Sequence, residues 1–548
     1  MARGINLIII LLEIIALCRT FPKFKWKTFV FYTQISNTLT LLVSAALVIF
    51  GPRRDLAVLR MTSVSMLLMT FFVTTCVLVP FGGSAKNLLF SVPGIFVHLI
   101  CPILSCISYF FFEYHPALYW VLVPVVISLI YGLLMVCLND RGIVEGPYPF
   151  FEVKKIGKKA AACWIAGLIV LSGICSLVSG LKAPAKTDLT FIYVHGLSGW
   201  GSYDLRNEVI PYWGMTSGDV VRYMDQHGYS SYAASVDPDG SAWDRACELY
   251  AQLMGCRVDY GAAHSARCHH ERFGEDYSMK PLLADFEKKP VVLIGHSFGG
   301  ATIRLFSEIL RNGSEEERLA TPQEELSPFF AGGQGENLFA LVLLAAPTNG
   351  TTAYDLYEDP SFDVATVDIP EEYEKNSDAV SKFTKARADE RIREDYAAYD
   401  MHIDNALALN DTITTFDDVY YFALPFSTAV EDPNGGIMPD PAITEQIFLR
   451  GATIMSKYTG RTAGGFALDA SWQANDGLVN TCSAGAPLGA RSAAYTEGEE
   501  LLPGIWYVMP VIRGDHMYAQ GGLTKRHDVR PMYRELAQML AGIRKAGK

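Results

Sequence analysis

Long apolar runs crowd the first third of the chain and then stop, and this unevenness constrains the fold more than any other feature. Up to about Lys182 apolar stretches alternate with short polar breaks; beyond it charged and polar residues are mixed as in a soluble globular domain. A membrane-spanning helix needs about 20 mostly apolar residues. Runs at 28–50, 56–79, 88–112, 118–138 and 160–181 meet that length, and a sixth at 5–18 is shorter and carries Glu13. No small-residue cleavage site follows this first run, so it reads as a span rather than a signal peptide. The expectation is a multi-span α-helical membrane domain over 1–182, with about six helices, followed by a second domain over 183–548.

Lys and Arg in short loops favour the cytoplasmic side. One set of loops holds those between residues 19 and 27, Lys86 and those between 141 and 159; the other holds Arg3, Arg53, Arg54, Arg60, Lys182 and Lys186. The first set is richer, which puts the second domain on the extracytoplasmic side through the last span alone. The formal net charge of -12 and the lack of a basic stripe exclude a nucleic-acid partner. Seven of the eleven cysteines lie in or beside apolar runs, and Cys247, Cys256, Cys268 and Cys482 make no disulfide framework, so free thiols are expected. The oligomeric state is not encoded legibly.

Beyond residue 186 short β-rich runs alternate with helical stretches, with strand candidates at 189–194, 230–236, 290–294, 339–345, 419–423 and 505–511. Several are continuously apolar, as in strands covered on both faces, so a doubly wound, mostly parallel α/β sheet is expected. The third run ends in Gly295-His296-Ser297-Phe298-Gly299-Gly300 before a helical stretch. A G-x-S-x-G between strand and helix is a nucleophile elbow, which makes the expected fold an α/β-hydrolase and Ser297 the candidate nucleophile. Serine needs a base that is itself oriented by an acid, and in this fold the chain order is Ser, acid, His. His516 after the last strand and Asp476 in Asn475-Asp476-Gly477 fill those roles, with His527 and Asp515 as rivals. The oxyanion donors are expected at the amides of Phe298, after the nucleophile, and Leu197, in the loop after the first strand.

Two resemblances extend this reading. The segments 31–37 (Phe-Tyr-Thr-Gln-Ile-Ser-Asn), His98 with Pro102, and 146–153 (Gly-Pro-Tyr-Pro-Phe-Phe-Glu-Val) resemble the six-span family related to androgen-induced membrane hydrolases. That likeness implies a lipid-ester site at Thr33 and His98; the alternative is a helix-packing threonine and a hydrogen-bonded histidine. Segments 243–248 (Trp-Asp-Arg-Ala-Cys-Glu), 258–264 (Val-Asp-Tyr-Gly-Ala-Ala-His) and 270–274 (His-Glu-Arg-Phe-Gly) resemble the zinc-containing lipases secreted by bacilli and staphylococci, and the likeness runs over most of 186–546.

The second resemblance implies a structural zinc in an insertion around 240–277, held by Asp244, His264, His270 and Asp400. A thiolate site using Cys256, Cys268 and His269 lies off that pattern. Calcium is not expected, because 517–523 after His516 contains no carboxylate, and between Thr352 and Asp400 a charged segment replaces the apolar lid helix of that family. The implied activity is that of a membrane-tethered serine lipase or carboxylesterase acting on lipid or other esters. The rivals are an acyltransferase using the same residues and a membrane receptor or anchor with a vestigial hydrolase.

Overall fold

The computed structural model describes residues 2–51, 55–81, 83–116, 118–144, 146, 148–181, 185–283, 286–374, 393–433 and 435–547. Arg53, Arg54, Lys182 and 375–392 of the charged segment lie outside the described residues. The chain divides into two units, Met1–Ala183 and Pro184–Lys548.

Burial in the first unit is inverted relative to a soluble bundle. Ser36, Asn37, Thr40, Ser44, Ser63 and Ser65 are buried, whereas Leu7, Leu11, Leu42, Ile49, Ile130 and Val170 are exposed. Among the described residues six helices are long and apolar enough to cross a membrane: Ala2–Val30, Tyr32–Phe50, Ala57–Leu78, Val92–Phe112, Leu118–Asp140 and Lys158–Gly180. Small polar side chains tie them together, as in the Ser65–Ser176 and Ser36–Thr70 hydroxyl contacts at 2.9 Å. Arg60 Nε donates to Glu113 Oε2 at 2.6 Å, with both side chains buried.

The first helix is longer than the 5–18 run. It continues from Ala2 to Phe24, and Glu13 is buried, so the carboxyl does not interrupt the outward apolar face. The second helix begins at Tyr32 rather than at residue 28, because Lys25–Val30 forms a 3-10 turn that Phe31 ends in an extended conformation.

The second unit is built on a seven-stranded sheet. Its strands in chain order are β1 (Thr190–Val194), β2 (Ser230–Ala234), β3 (Val291–His296), β4 (Leu338–Leu344), β5 (Tyr420–Leu424), β6 (Ser492–Ala494) and β7 (Trp506–Val508). They lie in the order β6-β7-β5-β4-β3-β1-β2, and every neighbouring pair is parallel.

Successive side chains of a strand face opposite ways. Ile192, Leu293, Leu341 and Tyr421 accordingly enter one core with helices Ala242–Met254 and Gly299–Asn312, while Tyr193, Val292, Val342 and Phe422 enter the other with helices Val220–Gln226 and Arg530–Ala546. Burial on both faces is why these strands read as continuous apolar runs. The run at 505–511 yields only β7; Ile512–Arg513 leaves the sheet and pairs with Phe426–Ser427. All eleven cysteines are free.

Candidate active site and metal cluster

From β1 the sheet grows one way to β2, and from β3 it grows the other way, so the loops after β1 and β3 flank the crevice where ligands enter such sheets. The loop after β3 holds Ser297 at φ 54°, a left-handed conformation rare for a residue with a side chain. The glycines around it are sterically required. A Cβ on Gly299 would lie 2.2 Å from the Val194 carbonyl oxygen, and one on Gly295 would lie 2.5 Å from the Gly299 backbone.

The structure brings Ser297, His516 and Asp476 into one hydrogen-bonded line. His516 Nδ1 donates to Asp476 Oδ2 at 2.9 Å, since a carboxylate only accepts, and this leaves Nε2 free to accept from Ser297 Oγ at 2.8 Å. Asp476 is fully buried, and its Oδ1 accepts from the amides of Leu478 and Val479 at 3.0 and 2.8 Å. The His516 amide donates to the Asp476 carbonyl at 2.8 Å, which fixes the two residues to each other through the main chain as well.

The rivals are otherwise engaged. Asp515 accepts the amides of Glu445 and Met517, and the ring nitrogens of His527 face the carbonyls of Lys525 and Tyr518.

Leu197 and Ser297 line the same cavity, of about 410 Å³, whose walls include Trp200, Ile210, Phe448, Leu478 and Met517. Phe298 follows the serine and caps the helix Gly299–Asn312. A Cβ on Gly196 would lie 2.7 Å from Ser297 Cβ, so only glycine lets the loop after β1 approach the serine this closely. The loop is held by His195 and Arg245. His195 Nδ1 donates to the Gly196 carbonyl at 2.9 Å, and its Nε2 accepts from the Val236 amide at 3.2 Å. Burial, with Arg245 nearby, pushes His195 down to about 3 and keeps it neutral. Arg245 donates to the carbonyls of His195 and Asp237 and, at 2.9 Å, to Thr302 on the nucleophile helix.

Sequence reasoning passed over Arg245, although it adjoins Asp244 in the quoted motif. It also passed over Glu445, whose Oε1 accepts the amides of Leu523, Thr524 and Lys525 at 2.6–2.9 Å. The carboxylate that anchors the segment after His516 comes from earlier in the chain, where local inspection does not look.

The family described as "Lipase-like, C-terminal domain" matches residues 187–367. The chain is 31% identical to the lipase of Staphylococcus hyicus over 399 residues, covering 67% of this chain and 60% of that one. It is 31% identical to lipase 2 of Staphylococcus aureus over 355 residues, covering 60% and 49%. Among solved structures, that of the S. hyicus lipase superposes with a TM-score of 0.54 at 28% identity, over 67% of this chain and 99% of that chain. EstA from Clostridium botulinum superposes with a TM-score of 0.55 at 28% identity, over 66% and 90%. The C-terminal unit is similar in sequence and fold to these staphylococcal lipases. The chain spans between about half and three fifths of the length of these curated relatives.

In this lipase-like unit the antiparallel pair Arg257–Asp259 and Phe273–Asp276 folds His264 and His270 back onto Asp244 of the helix Ala242–Met254. His264 Nε2 lies 3.0 Å from Asp244 Oδ1 and 3.6 Å from Asp395 Oδ1, and His270 Nε2 lies 3.7 Å from Asp244 Oδ1. Metal bonds of about 2 Å in a tetrahedron imply ligand separations of about 3.3 Å, which these distances bracket. His270 Nε2 is buried with no hydrogen-bond partner, as befits a nitrogen kept for a metal. Burial raises Asp244, and for His264 the two carboxylates outweigh burial and lift it to about 9. These donors fit a cation of the zinc type.

The fourth residue at this cluster is Asp395, not Asp400. Asp400 Oδ2 accepts the Ala242 amide at 2.7 Å at the start of the helix Ala242–Met254, whereas Asp395, at the end of the turn Arg393–Asp395, reaches His264. Cys268 also lies close enough to join His264, His270 and Asp395 as a donor, but its Sγ is 3.9 Å from Nδ1, the other ring nitrogen of His264. Burial pushes this thiol up to about 11.

In the first unit Thr33 and His98 line one cavity of about 600 Å³ with Tyr148, Phe150 and Trp164. Thr33 Oγ1 is 3.2 Å from the Tyr148 hydroxyl, and His98 Nδ1 donates to the Leu88 carbonyl at 2.7 Å.

Proposed function

We propose that the lipase unit hydrolyses esters of fatty acids through an acyl-enzyme on Ser297, and that the six apolar helices hold the chain in a membrane with this unit on the extracytoplasmic side. The observation that carries the reading is the line from Ser297 Oγ through His516 to Asp476, opening into a largely apolar cavity. Ser297 Oγ attacks the ester carbonyl while His516 Nε2 takes its proton, and Asp476 holds the imidazolium that forms. The amides of Leu197 and Phe298 receive the developing oxyanion. The tetrahedral intermediate then collapses, the C–O bond to the alcohol breaks, and His516 returns the proton to the leaving oxygen. Water, activated by the same imidazole, releases the fatty acid and restores Ser297. An alcohol entering in place of water turns the same steps into acyl transfer.

Asp244, His264, His270 and Asp395 would hold a zinc ion, which would join separate segments and, with four protein ligands, would leave no open position for substrate. It is proposed as structural.

The cavity shared by Thr33 and His98 supports a second reading, in which the membrane unit cleaves lipid esters itself. Its signature is hydrolysis that survives loss of Ser297 and disappears with Thr33→Ala and His98→Ala. The principal reading is tested by treating the full chain with a fluorophosphonate. Labelling should map to Ser297 and abolish release of fatty acid; an unlabelled Ser297 in active protein contradicts the proposal.

A further inference from the structure

Two side chains of the site have no part in the acyl chemistry, yet they join the oxyanion loop to the base. Tyr212 and His296 are both buried. His296 Nε2 lies 2.9 Å from the main-chain carbonyl oxygen of His516, which only accepts, so Nε2 carries the proton and Nδ1 is an acceptor. The Tyr212 hydroxyl, 2.7 Å from Nδ1, therefore donates to it, and the phenol oxygen accepts the Gly196 amide at 2.9 Å. The bonds have a fixed polarity: Gly196 N–H to Tyr212 oxygen, Tyr212 O–H to His296 Nδ1, and His296 Nε2–H to the His516 carbonyl. Burial, with His516 nearby, holds His296 well below its ordinary pKa, so the singly protonated ring this polarity requires persists at neutral pH.

The two ends of the relay lie where alignment matters most. Gly196 is bonded to Leu197, whose amide is the proposed oxyanion donor from this loop. His516 is the proposed base, and its own amide is already tied to the Asp476 carbonyl at 2.8 Å.

We propose that Tyr212 is a positioning residue for ester hydrolysis, acting through His296 to keep the Gly196–Leu197 peptide and the His516 loop aligned across Ser297. The proposal rests on the triad reading above. Displacement of a catalytic group by about 1 Å costs on the order of 100-fold in rate. Removing one hydroxyl keeps the Tyr212 ring in the cavity wall, so the loss falls on turnover rather than on substrate binding.

The test uses the full-length chain in detergent, a soluble short-chain ester, and sites counted by fluorophosphonate titration. Tyr212→Phe should lower kcat per titrated site by about 10- to 100-fold with KM within about threefold. His296→Gln, which interrupts the same relay at its next member, should act alike, and the double variant should lose no more than the worse single one, because coupled residues are not additive. An unchanged kcat per titrated site in Tyr212→Phe, or losses that multiply in the double variant, overturns the proposal. Ser297→Ala in a Thr33→Ala, His98→Ala background separates the two claims: if it stays active the triad reading fails, whereas if it is inactive while Tyr212→Phe is unimpaired only the relay fails.

Discussion

One residue before His516, Asp515 turns its carboxylate from the imidazole to the amides of Glu445 and Met517. Burial pushes this carboxyl up from 3.8 to about 7, with Glu445 and Asp476 adding to the rise and the two amides opposing it. An acid whose folded pKa exceeds its unfolded value binds an extra proton in the folded state between the two, so stability declines as pH rises through that window. Asp515→Asn removes the decline but turns a donor toward one of the two amides, at a cost of about 1–3 kcal/mol at low pH. In thermal melts of wild type and variant, the gap in Tm should be wide at pH 5 and narrower at pH 8; a gap independent of pH would refute the assignment. Ser297, His516 and Asp476 were legible because each sits at a strand end or turn whose local sequence announces it. The engagement of Asp515 was not, because its partner Glu445 is 70 residues away.

Helix Ala242–Met254 does two things at adjacent positions. Asp244 faces the candidate metal cluster, and Arg245 holds the carbonyls of His195 and Asp237 beside the loop after β1. Removing metal should therefore loosen this corner, lowering Tm by on the order of 10 °C while changing the rate at moderate temperature by less than about threefold. The ligand set is tested by metal analysis: Asp395→Asn should lose bound zinc and Asp400→Asn should retain it, and the reverse pattern would restore Asp400 as ligand. Asp395 escaped sequence reading because it follows the charged stretch in a short turn, while Asp400 sits in a helix that resembles the family pattern. Strand legibility followed burial in the same way. Strands β1, β3, β4 and β5 are mostly apolar and β2 is only partly so, whereas β6 is Ser-Ala-Ala with all three residues exposed, and nothing in its composition marks a strand. The first helix was read short because Arg3 and Arg19 bound the apolar run, although the helix continues past both.

Across the whole molecule, an inverted helical unit with apolar side chains outside and serines inside is joined to a lipase-like unit in one chain. Tethering raises the effective concentration of an enzyme at its substrate without any new contact. Full-length protein in vesicles should thus exceed a proteolytically released lipase unit on bilayer-embedded esters and match it on soluble short-chain esters; equal rates on both would reject a role for the membrane unit in delivery. The account stands most directly on Ser297. Fatty-acid release by folded, full-length Ser297→Ala is the measurement that decides it, since removing the attacking oxygen should cost on the order of 10⁴-fold or more in kcat while leaving Tm within a few degrees. That loss is the predicted result, and turnover at the wild-type rate by the purified variant would contradict the central claim.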